Sequence, residues 1–271
     1  MGVKTSAARL LCYLKRNGLV DFRRTLMLGR QELCMTESQI RALYRDYADV
    51  LKGEIRGKYC EALFRALGAE TADSLDVSDF EGAACIADLN KPVPPELEGR
   101  YTCVLDGGTT EHVYNYPQAM QNIMRMLDTS GGYIALVPSD HWNGHGLFQF
   151  SPMLYIQLFQ KENNFELLDL YFSKSWNSRC LWKLKDRGVQ SRIEIISRAP
   201  LELYAVAKKT GEAKTEICLQ QGDYIEKWSG GAKTPKWKSA LERLPWETQA
   251  FIKYHYLVTI GARKRLKKVR F

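Results

Sequence analysis

The chain lacks several features that would narrow its class. No window of its 271 residues approaches the roughly 18 consecutive apolar residues of a membrane-spanning helix. There is no internal repeat and no low-complexity tract, so neither a solenoid nor compositional disorder is expected. None of its seven cysteines (Cys12, Cys34, Cys60, Cys85, Cys103, Cys180, Cys218) forms a Cys-x-x-Cys pair. Their odd number and wide spacing argue against a disulfide framework or a zinc site and point to reduced thiols in a cytoplasmic protein. Histidine is scarce, with only His112, His141, His145 and His255, which shortens the list of proton-transfer candidates. The N-terminus, Met1-Gly-Val-Lys-Thr-Ser, has no long apolar core followed by a small-residue cleavage site, so no secretory signal is expected.

What is present is ordinary in bulk and uneven in charge. The chain is 45% hydrophobic and 26% charged, as in a globular enzyme with enough residues to bury a core. Its net charge is +8. Much of that lies in Arg263, Lys264, Arg265, Lys267, Lys268 and Arg270. Such a tail suits an anionic lipid, a nucleic acid or a phosphorylated substrate, or is simply a solvated terminal helix. The rest of the chain is near neutral, so the body does not read as a nucleic-acid binder.

The order of elements carries more information. Residues 4–20 have a helical apolar spacing. Thr25 to Gly29 is a short buried strand ending at a glycine. Thr36 and Gln39 have capping-box spacing, and a second helix covers 58–67. Strand-like runs follow at 72–80 and 83–92, both ending in acids. Tyr101 to Asp106 is another, followed by Gly107-Gly108-Thr109-Thr110-Glu111-His112 and an amphipathic segment to Leu127. Ser130-Gly131-Gly132 reads as a glycine turn into a strand ending at Pro138. Strand, polar loop, helix, turn and strand make a βαβ unit, and in such sheets the loops at the carboxyl ends of the strands hold the ligand. A helix from Ser151-Pro152 to about Glu162, a strand at 165–172 and paired strands at 191–197 and 201–208 follow. The late pair predicts an antiparallel edge on a mostly parallel, doubly wound α/β sheet. Residues 210–235 read as loop and 236–269 as one or two helices. The expected division is a helical extension at 1–21, an α/β domain at 22–209 and a basic helical extension at 210–271. The two extensions would cover the domain or form a homodimer.

The loop Ser139-Asp140-His141-Trp142-Asn143-Gly144-His145-Gly146-Leu147-Phe148-Gln149-Phe150 is dense in polar and aromatic groups at the carboxyl end of a central strand, where ligand-binding loops concentrate. His141 or His145 can take a hydroxyl proton, and Trp142 and Phe150, with Asn143 and Gln149, can hold a ring or a sugar. Asp140, His141 and His145 also offer metal ligands, with Asp106 nearby. The zinc signature His-Glu-x-x-His is absent, and no metal is expected.

Together these stretches resemble the class I S-adenosylmethionine-dependent methyltransferases, over roughly residues 22–208. Leu75-Asp76-Val77-Ser78 is similar to the family's second-strand acid, which takes the ribose hydroxyls. Ala87-Asp88-Leu89-Asn90 with Pro92 and Pro94 is similar to its adenine-side loop. Val104-Leu105-Asp106 with Glu111-His112-Val113 is similar to its fourth-strand motif. Leu127 to Ile134 resembles the turn before strand five, without that turn's proline. Leu203 to Lys208 is similar to the last strand. The resemblance implies a Rossmann-like methyltransferase fold with S-adenosylmethionine as cofactor. Gly29, Arg30 and Gln31 would hold its methionine end, Asp76 and Ser78 its ribose, and Asp88 and Leu89 its adenine. Asp106, Gly107 and Glu111 would line the site, and His112, His141 or His145 would act as base. The family's glycine-rich loop after strand one is reduced here to Gly29 alone. The expected activity is O-methylation of a polar small molecule or a glycan hydroxyl. The alternatives are an inactive methyltransferase-like scaffold and a nucleotide-sugar transferase on the same sheet type.

Overall fold

Leu26, Met27 and Leu28 are fully buried because their strand, β2 (Arg24–Leu28), is covered on both faces. Leu26 and Leu28 pack into one apolar cluster and Met27 into the other, as the two-residue period of a strand requires. The computed structural model describes residues 2–174, 180–185, 193–214, 216–228, 241–258 and 265–271. β1 (Gly2–Lys4) and β3 (Glu32–Cys34) form a small parallel pair of their own. Among the described residues the main sheet has nine strands, β2 being one of them. The others are β4 (Thr71–Asp76), β5 (Cys85–Ile86), β6 (Tyr101–Asp106), β7 (Leu127–Asp140), β8 (Phe165–Lys174), β9 (Leu181–Leu184), β10 (Leu201–Lys209) and β11 (Leu266–Val269). Their order is β11-β9-β8-β10-β7-β6-β2-β4-β5.

The five strands from β5 to β7 are parallel. Numbered along the chain, they lie in the order third, second, first, fourth, fifth. That is the doubly wound arrangement, with its switch point between β2 and β6. The expected fold class is therefore present. β10, β8, β9 and β11 complete an antiparallel edge.

Helices cover both faces. α1 (Thr5–Arg16) buries Ala7, Ala8, Leu10, Leu11 and Leu14 in the same cluster as Met27, Leu105 and Ile134. α2 (Glu37–Tyr47) starts as expected: Gln39 N donates to Thr36 Oγ1 at 3.3 Å and Thr36 N to Gln39 Oε1 at 2.8 Å. Such a box is worth about 1 kcal/mol. α3 (Glu61–Ala66) lies on this side too. α4 (Tyr116–Met126) and α5 (Pro152–Leu158) cover the other face.

Several expectations are corrected. No turn separates α4 from β7, because β7 begins at Leu127 and runs through Gly131 and Gly132. Those glycines permit close approach. A Cβ on Gly132 would lie 2.9 Å from a Val20 methyl, and one on Gly131 2.9 Å from Asp128 O. The strand expected at 72–80 ends at Asp76, and β5 is only two residues long. Residues 193–197 are irregular, with 191–192 outside the described residues. β10 pairs with β7 and β8 instead. The 210–235 loop contains a helix, Gly222–Trp228, and the expected tail helix is present as Trp246–Tyr256. The basic end does not stay helical: Leu266–Val269 is the edge strand β11, paired with β9. Arg263 and Lys264 lie outside the described residues. No helix among the described residues is long and apolar enough to cross a membrane.

Candidate active site at the switch point

Asp106 ends β6 and is fully buried. Its Oδ1 accepts from the backbone N–H groups of Gly108 (3.3 Å), Thr109 (2.9 Å) and Thr110 (3.3 Å). Its Oδ2 accepts from the hydroxyls of Thr110 and Tyr133. A carboxylate so fully engaged shapes the loop and has little capacity left for a ligand. The sequence marked the acid; its partners Thr109, Thr110 and Tyr133 were not among the expected site residues.

Across the switch point, Gly29 takes φ +67 and donates to Leu75 O at 2.7 Å. A Cβ there would come within 2.9 Å of Thr109 Oγ1, so glycine suits both the backbone and the space. Gln31 is buried and lies over Gly107, where a Cβ would meet its amide at 2.3 Å. Gln31 Nε2 donates to Leu28 O at 2.6 Å, while Gln31 Oε1 has no partner. Thr109 Oγ1 also donates to Leu28 O. These bonds close the first-strand and fourth-strand loops on each other. Arg30 is engaged elsewhere: Nε donates to Glu61 at 2.7 Å, Nη1 to Glu81 O at 2.7 Å, and the guanidinium stacks 4.1 Å from the Tyr59 ring.

Further along the same edge, Asp76 Oδ1 accepts from Val77 N at 2.6 Å, and its Oδ2 lies 3.9 Å from a Cβ built on Gly29. Ser78 is exposed. Asp88 Oδ1 accepts both the backbone and side-chain N–H of Asn90 at 2.9 Å. Those bonds, with Lys91, hold its carboxyl below the usual range. Leu89 is buried in the core. The loops at this edge also carry exposed apolar side chains that the sequence did not mark. Val77 is 67% exposed, Phe80 92%, Ile86 53%, Tyr114 80% and Leu147 61%. Ile86 ends β5 and the others lie in the segments after β4, β6 and β7, so one sheet edge carries them all.

The histidine loop folds back over the fourth-strand loop. Leu147 N and Phe148 N both donate to Glu111 O, and Gly146, at φ +72, lies against the Glu111 side chain. This brings His145 to His112, with ring centroids 5.3 Å apart. Burial, then His145, lowers the pKa of His112 below its usual value, which favours the neutral imidazole. His141 instead pairs with Asp140 at 3.1 Å and has φ +59. Trp142 Nε1 donates to Leu201 O, Trp142 N to Gln149 Oε1, and Gln149 Nε2 to Asn143 Oδ1, each at 2.9 Å. These three residues therefore brace the loop. Phe150 is buried and packs on Tyr116 at 5.0 Å, which gives its ring a core role.

No family model and no curated protein matches the chain. Several solved structures are similar in the course of the chain. One is the 1,6-didemethyltoxoflavin-N1-methyltransferase of Burkholderia thailandensis, solved with S-adenosylhomocysteine. It is 14% identical, with 75% of this chain and 78% of that one covered, at a TM-score of 0.40. A trans-methyltransferase, CalH, also solved with S-adenosylhomocysteine, is 14% identical, with 76% and 57% covered, at 0.40. The branched-chain polyamine synthase of Thermus thermophilus, solved with 5'-methylthioadenosine, is 13% identical, with 78% and 57% covered, at 0.41.

Proposed function

We propose that the chain is an S-adenosylmethionine-dependent methyltransferase acting on a hydroxyl of a polar small molecule or a glycan. The observation that carries this reading is the set of exposed apolar side chains on the loops of the carboxyl edge of a doubly wound sheet, the edge that also holds Asp76 and Asp88. Large apolar side chains exposed together mark a binding surface, and this edge is where such sheets bind ligands. In this reading Asp76, with Ser78, accepts hydrogen bonds from ribose hydroxyls. Val77 and Ile86 flank the adenine beside Asp88, and Leu89 backs them from the core.

The methionine end meets Gln31, whose buried, unpartnered Oε1 is an acceptor suited to an ammonium group. The cofactor supplies an activated methyl group; the chain's own residues orient the acceptor and remove its proton. His112, held neutral, is the favoured base, with His145 beside it. Tyr114 and Leu147 offer exposed surface to the acceptor. All seven cysteines are free thiols, which agrees with a cytoplasmic setting.

A second reading, a binding protein without catalysis, is favoured by one feature, the Gln31 amide lying on Gly107. The test that separates the two is transfer of a labelled methyl group from S-adenosylmethionine to a panel of polyhydroxylated acceptors. Transfer that falls about 10²- to 10⁴-fold in His112→Ala supports the enzyme. Cofactor binding with no transfer to any acceptor supports the scaffold.

A further inference from the structure

Glu111 is a carboxyl with no exposed surface, yet neither Oε1 nor Oε2 has a hydrogen-bond partner. A buried polar group left unpaired is destabilising, and more so if charged. Two imidazoles face it. His145 Nε2, itself buried and unpartnered, is 3.6 Å from Glu111 Oε1, and His112 Nε2 is 4.0 Å from the same atom. One ligand atom from each residue lies within 4.8 Å of the others. Two ligands about 2.0–2.1 Å from a tetrahedral ion stand about 3.3 Å apart, so closure by about 1.5 Å at the widest pair, and by less at the other two, would bring all three onto one centre.

We propose that Glu111, His112 and His145 form a binding site for a divalent transition metal. Two imidazoles and one carboxylate, with no thiolate, suit zinc, iron or manganese better than magnesium or calcium, which prefer oxygen ligands. An ion there would give both Glu111 oxygens and His145 Nε2 the partner they lack. The remaining coordination positions open to solvent, because the His112 and His145 side chains are 51% and 35% exposed while Glu111 closes the inner side. Three protein ligands with an open position are the pattern of a catalytic site. Metal content is read without cofactor or acceptor, so the test does not depend on methyl transfer, although an ion on His112 Nε2 would take the lone pair that the proposed base uses.

The test uses the full chain, stripped with a chelator and dialysed against Zn²⁺ or Co²⁺ alone. Bound metal is measured by atomic absorption, and ligand type by the visible spectrum of the cobalt form. One equivalent per chain is expected, with a cobalt spectrum free of thiolate charge-transfer bands. His112→Ala and His145→Ala should each weaken binding at least about 100-fold, beyond what loss of a supporting residue does. His112 is half-exposed, so its variant should keep the wild-type circular dichroism. His141→Ala should bind as wild type. Less than stoichiometric metal in the wild type would overturn the proposal. So would binding that both histidine variants retain, which would move the metal to exposed thiols such as Cys34 or Cys218.

Discussion

At the residue scale, Asp106 and Glu111 are two acids of one loop with opposite roles. Asp106 has its acceptor sites filled by three backbone N–H groups and two hydroxyls. Replacing it with Ala orphans those donors, and urea unfolding should show a loss of about 3 kcal/mol or more. Glu111 has no such partners. Burial, reinforced by Asp106, raises its pKa from the usual carboxylate value to about 8. A carboxyl raised in the folded state contributes stability that is fully present below its unfolded pKa and is lost as pH rises through the folded one. In chelated buffer the melting temperature should therefore fall between about pH 5 and pH 8. Glu111→Gln should flatten that fall by several degrees. Equal slopes for the two proteins would disprove the burial argument. Both acids were legible as site residues in the motif Asp-Gly-Gly-Thr-Thr-Glu-His. Their division of labour was not, because it depends on Tyr133 reaching Asp106 from the next strand and on His145 arriving through a loop that folds back. Gln31 over Gly107 was hidden for the same reason: it is a contact across the switch point.

At the element scale, strands buried on both faces announced themselves by their apolar runs: β2 and β6 fall where the sequence put them, while β7 begins earlier, at Leu127, where a turn was expected. Their neighbours were harder to read. An alternating run says that β10 is a strand, but not that it inserts between β7 and β8. β11 has only Leu266 and Val269 around two lysines, too short a pattern to oppose the helical reading of a basic tail. Its attachment is substantial, because Phe271 packs on Tyr13 at 4.6 Å and on Tyr171 at 5.5 Å, and Arg9 Nε donates to Phe271 O. Removing residues 266–271 should lower the melting temperature by about 4 °C or more, whereas a solvated tail would leave it unchanged. The Gly131-Gly132 pair misled in another way, since glycine marks turns and close contacts alike. Gly132→Ala should cost about 1–3 kcal/mol by crowding Val20. Adding Val20→Ala should recover part of that loss in a double-mutant cycle, and simple additivity would contradict the contact.

At the scale of the whole molecule, the doubly wound strand order places the ends of β2, β4, β5 and β6 along one edge. The acids, the apolar rim and the histidine pair all lie there because the topology gathers them. The central claim is that this edge binds S-adenosylmethionine despite the reduced glycine loop. The most direct measurement is titration calorimetry with S-adenosylhomocysteine on the wild type and on Asp76→Ala. Asp76 is only half-buried, so the variant should fold. The account predicts micromolar binding to the wild type, near 8 kcal/mol, weakened at least about tenfold in the variant. No heat up to millimolar ligand, or equal binding by both proteins, would contradict it.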